Sequence, residues 1–168
     1  MSQPSDVPAA AGCERDADGR LVGLVFDSAP PLPAPNDNPW LLAVDGSDNA
    51  LRAVAHAVRQ AGAMTACALH LVSVQPWLSR EAAAAELALR AWHTTARARS
   101  LLDAHGQPWR LHVAMGEAAE QIAALAARLG CSVIVIGGRG LGFGESLLRA
   151  AVANKLVHLC PCPLLLVP

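Results

Sequence analysis

The sequence predicts an α/β domain, an open parallel sheet of five strands between two layers of helices. Three observations predict it. From Trp40 onward, short apolar runs alternate five times with stretches of helical spacing, the pattern of parallel strands joined by right-handed crossovers. Ser132-Val133-Ile134-Val135-Ile136 is an apolar, β-branched run, which suits a strand covered on both faces. Glycines follow the first and fourth runs, at Gly46 and from Gly137 to Gly144, at the carboxyl ends where such sheets hold ligands.

The elements follow in order. Residues 1–39 are rich in Pro, Ser, Asp, Asn and Ala, and PPLPAPNDNP can neither continue a helix nor sustain a regular ladder; they read as a tail or linker. Within them, Leu21 to Phe26 is a short apolar run with three readings: a strand added to a sheet edge, a contact with a partner subunit, or a loosely attached segment. The domain proper is expected over 40–168. Leu41 to Val44 is the first strand. Asp45-Gly46-Ser47-Asp48 is a turn and helix start, and Leu51, Val54, Ala55 and Val58 are expected to form the buried face of the helix, which Gly62 ends.

Ala66 to Val74 is the second strand, broken by Pro76, and Glu81 to Ala104 is expected as one long helix closed by Gly106 and Pro108. Arg90, Arg97 and Arg99 read as its solvated face, with Trp92 against the sheet. Trp109 to Ala114 is the third strand. Ile122, Leu125, Ala126 and Leu129 give the next helix its apolar stripe, and Gly130 stops it. After the glycine loop, Leu148, Val152, Leu156 and Leu159 mark a last helix, and Leu164 to Val167 is the fifth strand.

Composition narrows the function. The chain has 168 residues, room for one core, and 13 Lys and Arg against 14 Asp and Glu. That balance offers no basic surface for nucleic acid or an anionic membrane. Tyr is absent and Phe occurs twice, so the aromatic platform of single-strand readers is missing too. No apolar run approaches the ~18 residues of a spanning helix, and the first residues lack a secretory pattern, so a soluble, cytoplasmic protein is expected. Five cysteines, an odd number, read as free thiols. The six histidines show no metal-ligand spacing, and Gly144-Glu145-Ser146 lacks the second glycine of a nucleophile elbow. An enzyme is not expected.

The glycine loop is the candidate site. No Lys precedes Lys155, which rules out a Walker loop, and Phe143 stands where the dinucleotide fingerprint needs its third glycine. Gly137, Gly138, Arg139, Gly140 and Gly142 still combine a strand end, close-approaching backbone amides, one cation and a following helix. Two readings stand: a cradle for an anion, or a turn that needs glycine for its backbone angles.

AVDGSDNALRAVAHAV, LHLVSV and, above all, VIVIGGRGLGFGESLLRAAVANKLVHLCPCPLLLVP resemble the universal stress protein family from Trp40 to Pro168. The resemblance implies a Rossmann-like sheet of strand order 3-2-1-4-5 and a small regulatory or binding module active in stress adaptation. Nucleotide-binding members carry Gly, two residues, Gly, nine residues, then Gly followed by Ser, Thr or Asn. Gly137 and Gly140 match the first pair; Ala150-Ala151 stands at the second. One methyl is then in the way of the phosphates and one hydroxyl donor is gone, a loss of roughly 1.5–3 kcal/mol or ten- to a hundred-fold in affinity. ATP binding is therefore expected to be weak or absent, with Mg²⁺ only alongside nucleotide.

Without Gly-Ser, the last helix is expected to extend back toward Glu145. Asp45 matches the family's acidic residue and is assigned either a ribose hydroxyl or phosphate-bound metal, or the cap of its own helix. Leu71 and Val72 are assigned to an adenine pocket by the same resemblance. The final strand lies on a sheet edge in the implied order, which predicts a homodimer through that edge. Two rivals remain: a competent ATP-binding member, and a thiol-based redox sensor using Cys131, Cys160 or Cys162.

Overall fold

The computed structural model describes residues 6–33, 37–64, 67–138 and 145–168, the side chains of 145–150 excepted. Its strands are β1 (Gly12–Arg15), β2 (Leu21–Asp27), β3 (Asn38–Ala43), β4 (Cys67–Gln75), β5 (Trp109–Met115), β6 (Val133–Gly137) and β7 (Leu164–Val167). Its helices are α1 (Asp48–Ala61), α2 (Arg80–Thr94), α3 (Ala96–Ala104), α4 (Ala118–Leu129) and α5 (Glu145–Leu159). All strands join one sheet in the order β1-β2-β5-β4-β3-β6-β7.

The sheet is therefore mixed and seven-stranded, where the sequence predicts five parallel strands. The parallel part is β5-β4-β3-β6-β7, and β1 and β2 add to its β5 edge as an antiparallel hairpin. Of the readings left open for Leu21 to Phe26, the added strand is the one the fold shows. The physical reason is burial: Leu21, Leu24 and Phe26 are almost fully enclosed, and Phe26 packs on Trp92, which in turn packs on Trp109, with centroids 5.3 and 6.3 Å apart. Phe26 thereby adds a second aromatic neighbour to Trp92. A bidentate Arg110–Asp27 pair at 2.7 and 3.1 Å fastens β2 to β5 on the other face.

Two cores lie on opposite faces of the sheet. One holds α1, α2 and α3 against residues such as Leu42, Leu69 and Leu111; the other holds α4 and α5 against Leu41, Val72, Ile134 and Ile136. The alternation of neighbours Leu41 and Leu42 between cores is the period of two that a strand imposes.

Several elements differ from expectation. The long helix is two, because Thr95 sits at φ −97°, ψ 1°. Its buried hydroxyl donates to the Ala91 carbonyl, and the Arg99 guanidinium takes the Trp92 carbonyl at 2.6 Å. Both compete with the helical ladder at one point. Arg99 is thus no solvated side chain: its guanidinium lies 3.3 Å from the Trp92 ring centre. The buried face of α1 is Ala50, Ala53, Val54, Ala57, Val58 and Ala61 rather than the stripe through Leu51 and Ala55, because alanines let the helix sit close to the sheet. On α5, Leu156 is buried while Leu159 is exposed.

Candidate functional site

β3 and β6 are adjacent and parallel, so the turn after β3 and the loop after β6 open on one side of the sheet. The first glycine of that loop is fixed by packing. A Cβ on Gly137 would lie 2.5 Å from both the carbonyl carbon and the oxygen of Asn49, because the amino end of α1 presses on the end of β6. Side chains do not approach backbone that closely. Gly138 is committed as well: its N–H donates to the Val167 carbonyl at 2.7 Å and ties β6 to β7. That amide is not directed at a ligand. Arg139, Gly140 and Gly142 lie outside the described residues.

Asp45 is exposed and makes an Asx turn, accepting from the Ser47 N–H at 3.0 Å and the Ser47 hydroxyl at 2.5 Å. Ser47 is the N-cap of α1, its hydroxyl oxygen accepting from the Ala50 N–H at 3.1 Å. Gly46, at φ +81°, supplies the left-handed conformation between them. Asp45 thus supports the cap indirectly, through Ser47, while its position at the strand end still faces the crevice.

That crevice is a pocket of about 110 Å³ whose lining includes Asp45, Val72, Ile122, Ile136, Gly137 and Val152. Val72 and Asp45 both line it. Leu71 does not. One residue along β4, it points through the opposite face into the core under α1, α2 and α3, so a single pocket cannot take both side chains.

The last helix already includes Glu145, in keeping with the expected extension back toward that residue. Ala150 and Ala151 therefore lie in its second turn, where backbone N–H groups bond to carbonyls four residues back. The side chain of Ala150 is outside the described set; Ala151 is exposed on the helix. Asp45 is the charged side chain in the described lining of the crevice; beside it, Glu117 caps α4 by accepting from the Glu120 N–H at 2.8 Å. Lys155 reaches Glu117 at 3.5 Å, and together with that cap bond it holds the Glu117 carboxyl below its ordinary range.

The Universal stress protein family profile matches residues 39–168. The chain belongs to the universal stress protein family. Among solved structures, it is similar to a universal stress protein in complex with cAMP, at 22% identity and a TM-score of 0.65, covering 78% of this chain and 97% of that one. It is similar to the Archaeoglobus fulgidus universal stress protein in complex with dAMP, at 22% identity and TM-score 0.62, covering 79% and 99%. A family protein from Arabidopsis thaliana with AMP bound matches at 17% identity and TM-score 0.57, covering 77% and 90%. No curated protein matches. The family profile begins after the β1–β2 hairpin, so the hairpin is an addition to the part this chain shares with the family.

Two features escaped the sequence reading. His70 and His112, on neighbouring strands β4 and β5, meet with Nδ1 and Nε2 3.0 Å apart. Burial, with Arg110 nearby, pushes His70 down to about 4; burial, His70 and Arg110 together push His112 down to about 3. The signal was present only in strand register, which sets His70 opposite Arg110, diagonal to His112. Three thiols also gather in the α4–α5 core. Burial, with Cys162 and Cys160 close by, pushes Cys131 up to about 12, and burial beside Cys160 pushes Cys162 up to about 11. Among the described residues, no three His, Cys, Asp or Glu side chains are grouped to hold a metal ion, and no helix is long and apolar enough to cross a membrane.

Proposed function

We propose that this family member is a small regulatory or binding module of stress adaptation, working in the cytoplasm, whose nucleotide site has lost its grip on a triphosphate. The observation that carries the reading is the course of α5. It starts five residues before Ala150, so the position where a phosphate would need a backbone amide and a hydroxyl offers instead an internally bonded helix. Two others support it. The Gly138 amide is spent on β7, and about 110 Å³ is below the ~300 Å³ at which small-molecule sites usually begin. Relatives bound to cAMP, dAMP and AMP make adenine nucleotides the class to titrate.

Isothermal titration with ATP and Mg²⁺, and separately with AMP, tests the reading. The natural chain is expected to show no micromolar ATP binding, and Ala150→Gly with Ala151→Ser to strengthen it about tenfold or more. Micromolar ATP binding by the natural chain refutes the proposal and favours the competent ATP-binding member. We also propose a homodimer through β7, the edge strand, where Leu166 is 47% exposed. Leu166→Glu is expected to yield monomers by size-exclusion chromatography with light scattering.

A further inference from the structure

A second and larger cavity, about 740 Å³, lies on the α4 side of the sheet beneath the added hairpin. It exists because the hairpin widens the sheet while the main strand contacts of α4 are with β4, β3 and β5, leaving the outer strands largely uncovered on that face. Gly23, Val25 and Ala114 form a flat apolar floor, and Leu125 and Leu129 of α4 form a wall. Gly23 suits this flat floor, since a Cβ there would sit tightly, 3.3 Å from the Glu14 Cβ and 3.4 Å from the Val113 carbonyl oxygen.

The polar groups are arranged in an unusual way. Glu14 on β1 and Arg128 on α4 face each other with 4.0 Å between Oε2 and Nη1, each about two-thirds exposed (67% and 63%). That gap is too long for a hydrogen bond, so an opposite pair of charges stands without direct donation between them. At the other end, Trp77 is 58% exposed, its ring carrying the Arg20 guanidinium 4.8 Å from its centre. Along β5 the lining runs from His112 to Met115, about 10 Å of strand.

We propose that this cavity binds a free α-amino acid with an aromatic side chain, its carboxylate on Arg128, its ammonium on Glu14 and its ring along the apolar floor toward Trp77. An α-amino acid carries its ammonium and its carboxylate on the same carbon, so it answers a split acid–base pair as no simple anion or cation does. The small floor residues and the indole receive the ring. The site is separate from the β3–β6 crevice and does not depend on nucleotide binding there.

The test is isothermal titration of the full chain with L-phenylalanine, N-acetyl-L-phenylalanine and phenethylamine. Saturable one-site binding of phenylalanine is expected, with each analogue weaker by about tenfold or more. Arg128→Gln and Glu14→Gln, checked for fold by circular dichroism, are each expected to weaken phenylalanine to the same degree. Glu14→Gln should leave the N-acetyl compound, which has no ammonium, unchanged. Absence of saturable binding at millimolar phenylalanine overturns the proposal, and so does equal binding of all three compounds, which would mean apolar contact alone.

Discussion

The buried imidazole pair makes stability depend on pH in a calculable way. His70 is 3% exposed and bonds to the half-buried His112 at 3.0 Å, with its remaining Nε2 buried and without a hydrogen bond. The folded values are about 4 for His70 and about 3 for His112, each down from 6.5. Both bases are depressed in the folded state, so the unfolded chain binds the extra protons. Stability is then fully present above pH 6.5 and lost as pH falls through 6.5 toward 4, where His70 itself begins to protonate. Linkage gives about 2 kcal/mol per histidine between about pH 8 and about pH 5, or about 4 kcal/mol for both. Against a total of ~5–15 kcal/mol for a domain, that loss is large. Urea unfolding at the two pH values, in the natural chain and in His70→Leu with His112→Leu, isolates it. The double variant is expected to lose about 4 kcal/mol less on acidification. Equal pH dependence in the two chains would refute the reasoning.

Gly137→Ala is expected to destabilise by about 3 kcal/mol or more, read by thermal or urea unfolding, because its methyl would fall on the Asn49 backbone. Asp45→Ala, removing the turn that orients the Ser47 cap, is expected to cost about 1 kcal/mol by the same assay. With thiol-alkylating reagent near neutral pH, mass spectrometry of the folded protein is expected to find the exposed Cys13 labelled and Cys131 and Cys162 unlabelled. Rapid labelling of the latter two would revive a redox role.

What was legible in the sequence was whatever repeats locally. The alternation of strand and helix, the stop at Gly130, found at φ +64°, and the backward extension of α5 to Glu145 all follow from periodicity and propensity over a few residues. What was not legible depends on long-range pairing. Leu21 to Phe26 is apolar enough for a strand, but nothing local says that Phe26 completes a cluster with Trp92 and Trp109. The break at Thr95 needs Arg99 of α3 to reach back to Trp92 of α2, and the His70–His112 contact needs the register of two strands, with the two residues 42 apart. The site was half legible: Asp45 and Val72 meet, while Leu71 was assigned by position without regard to which face of β4 it occupies.

Glycine in the loop after β6 serves either an anion or the backbone. At Gly137 the backbone answers: the Asn49 carbonyl occupies the space a side chain would need, so the residue would be required with no ligand at all. A glycine there is consequently poor evidence of nucleotide binding in any chain where α1 packs on β6 in this way. The later pair bears more directly on the proposed reading, because alanines favour a continuous helix where a glycine would not. Here that pair is Ala150-Ala151, and α5 runs through it, so on the proposed reading its amides are bonded within the helix.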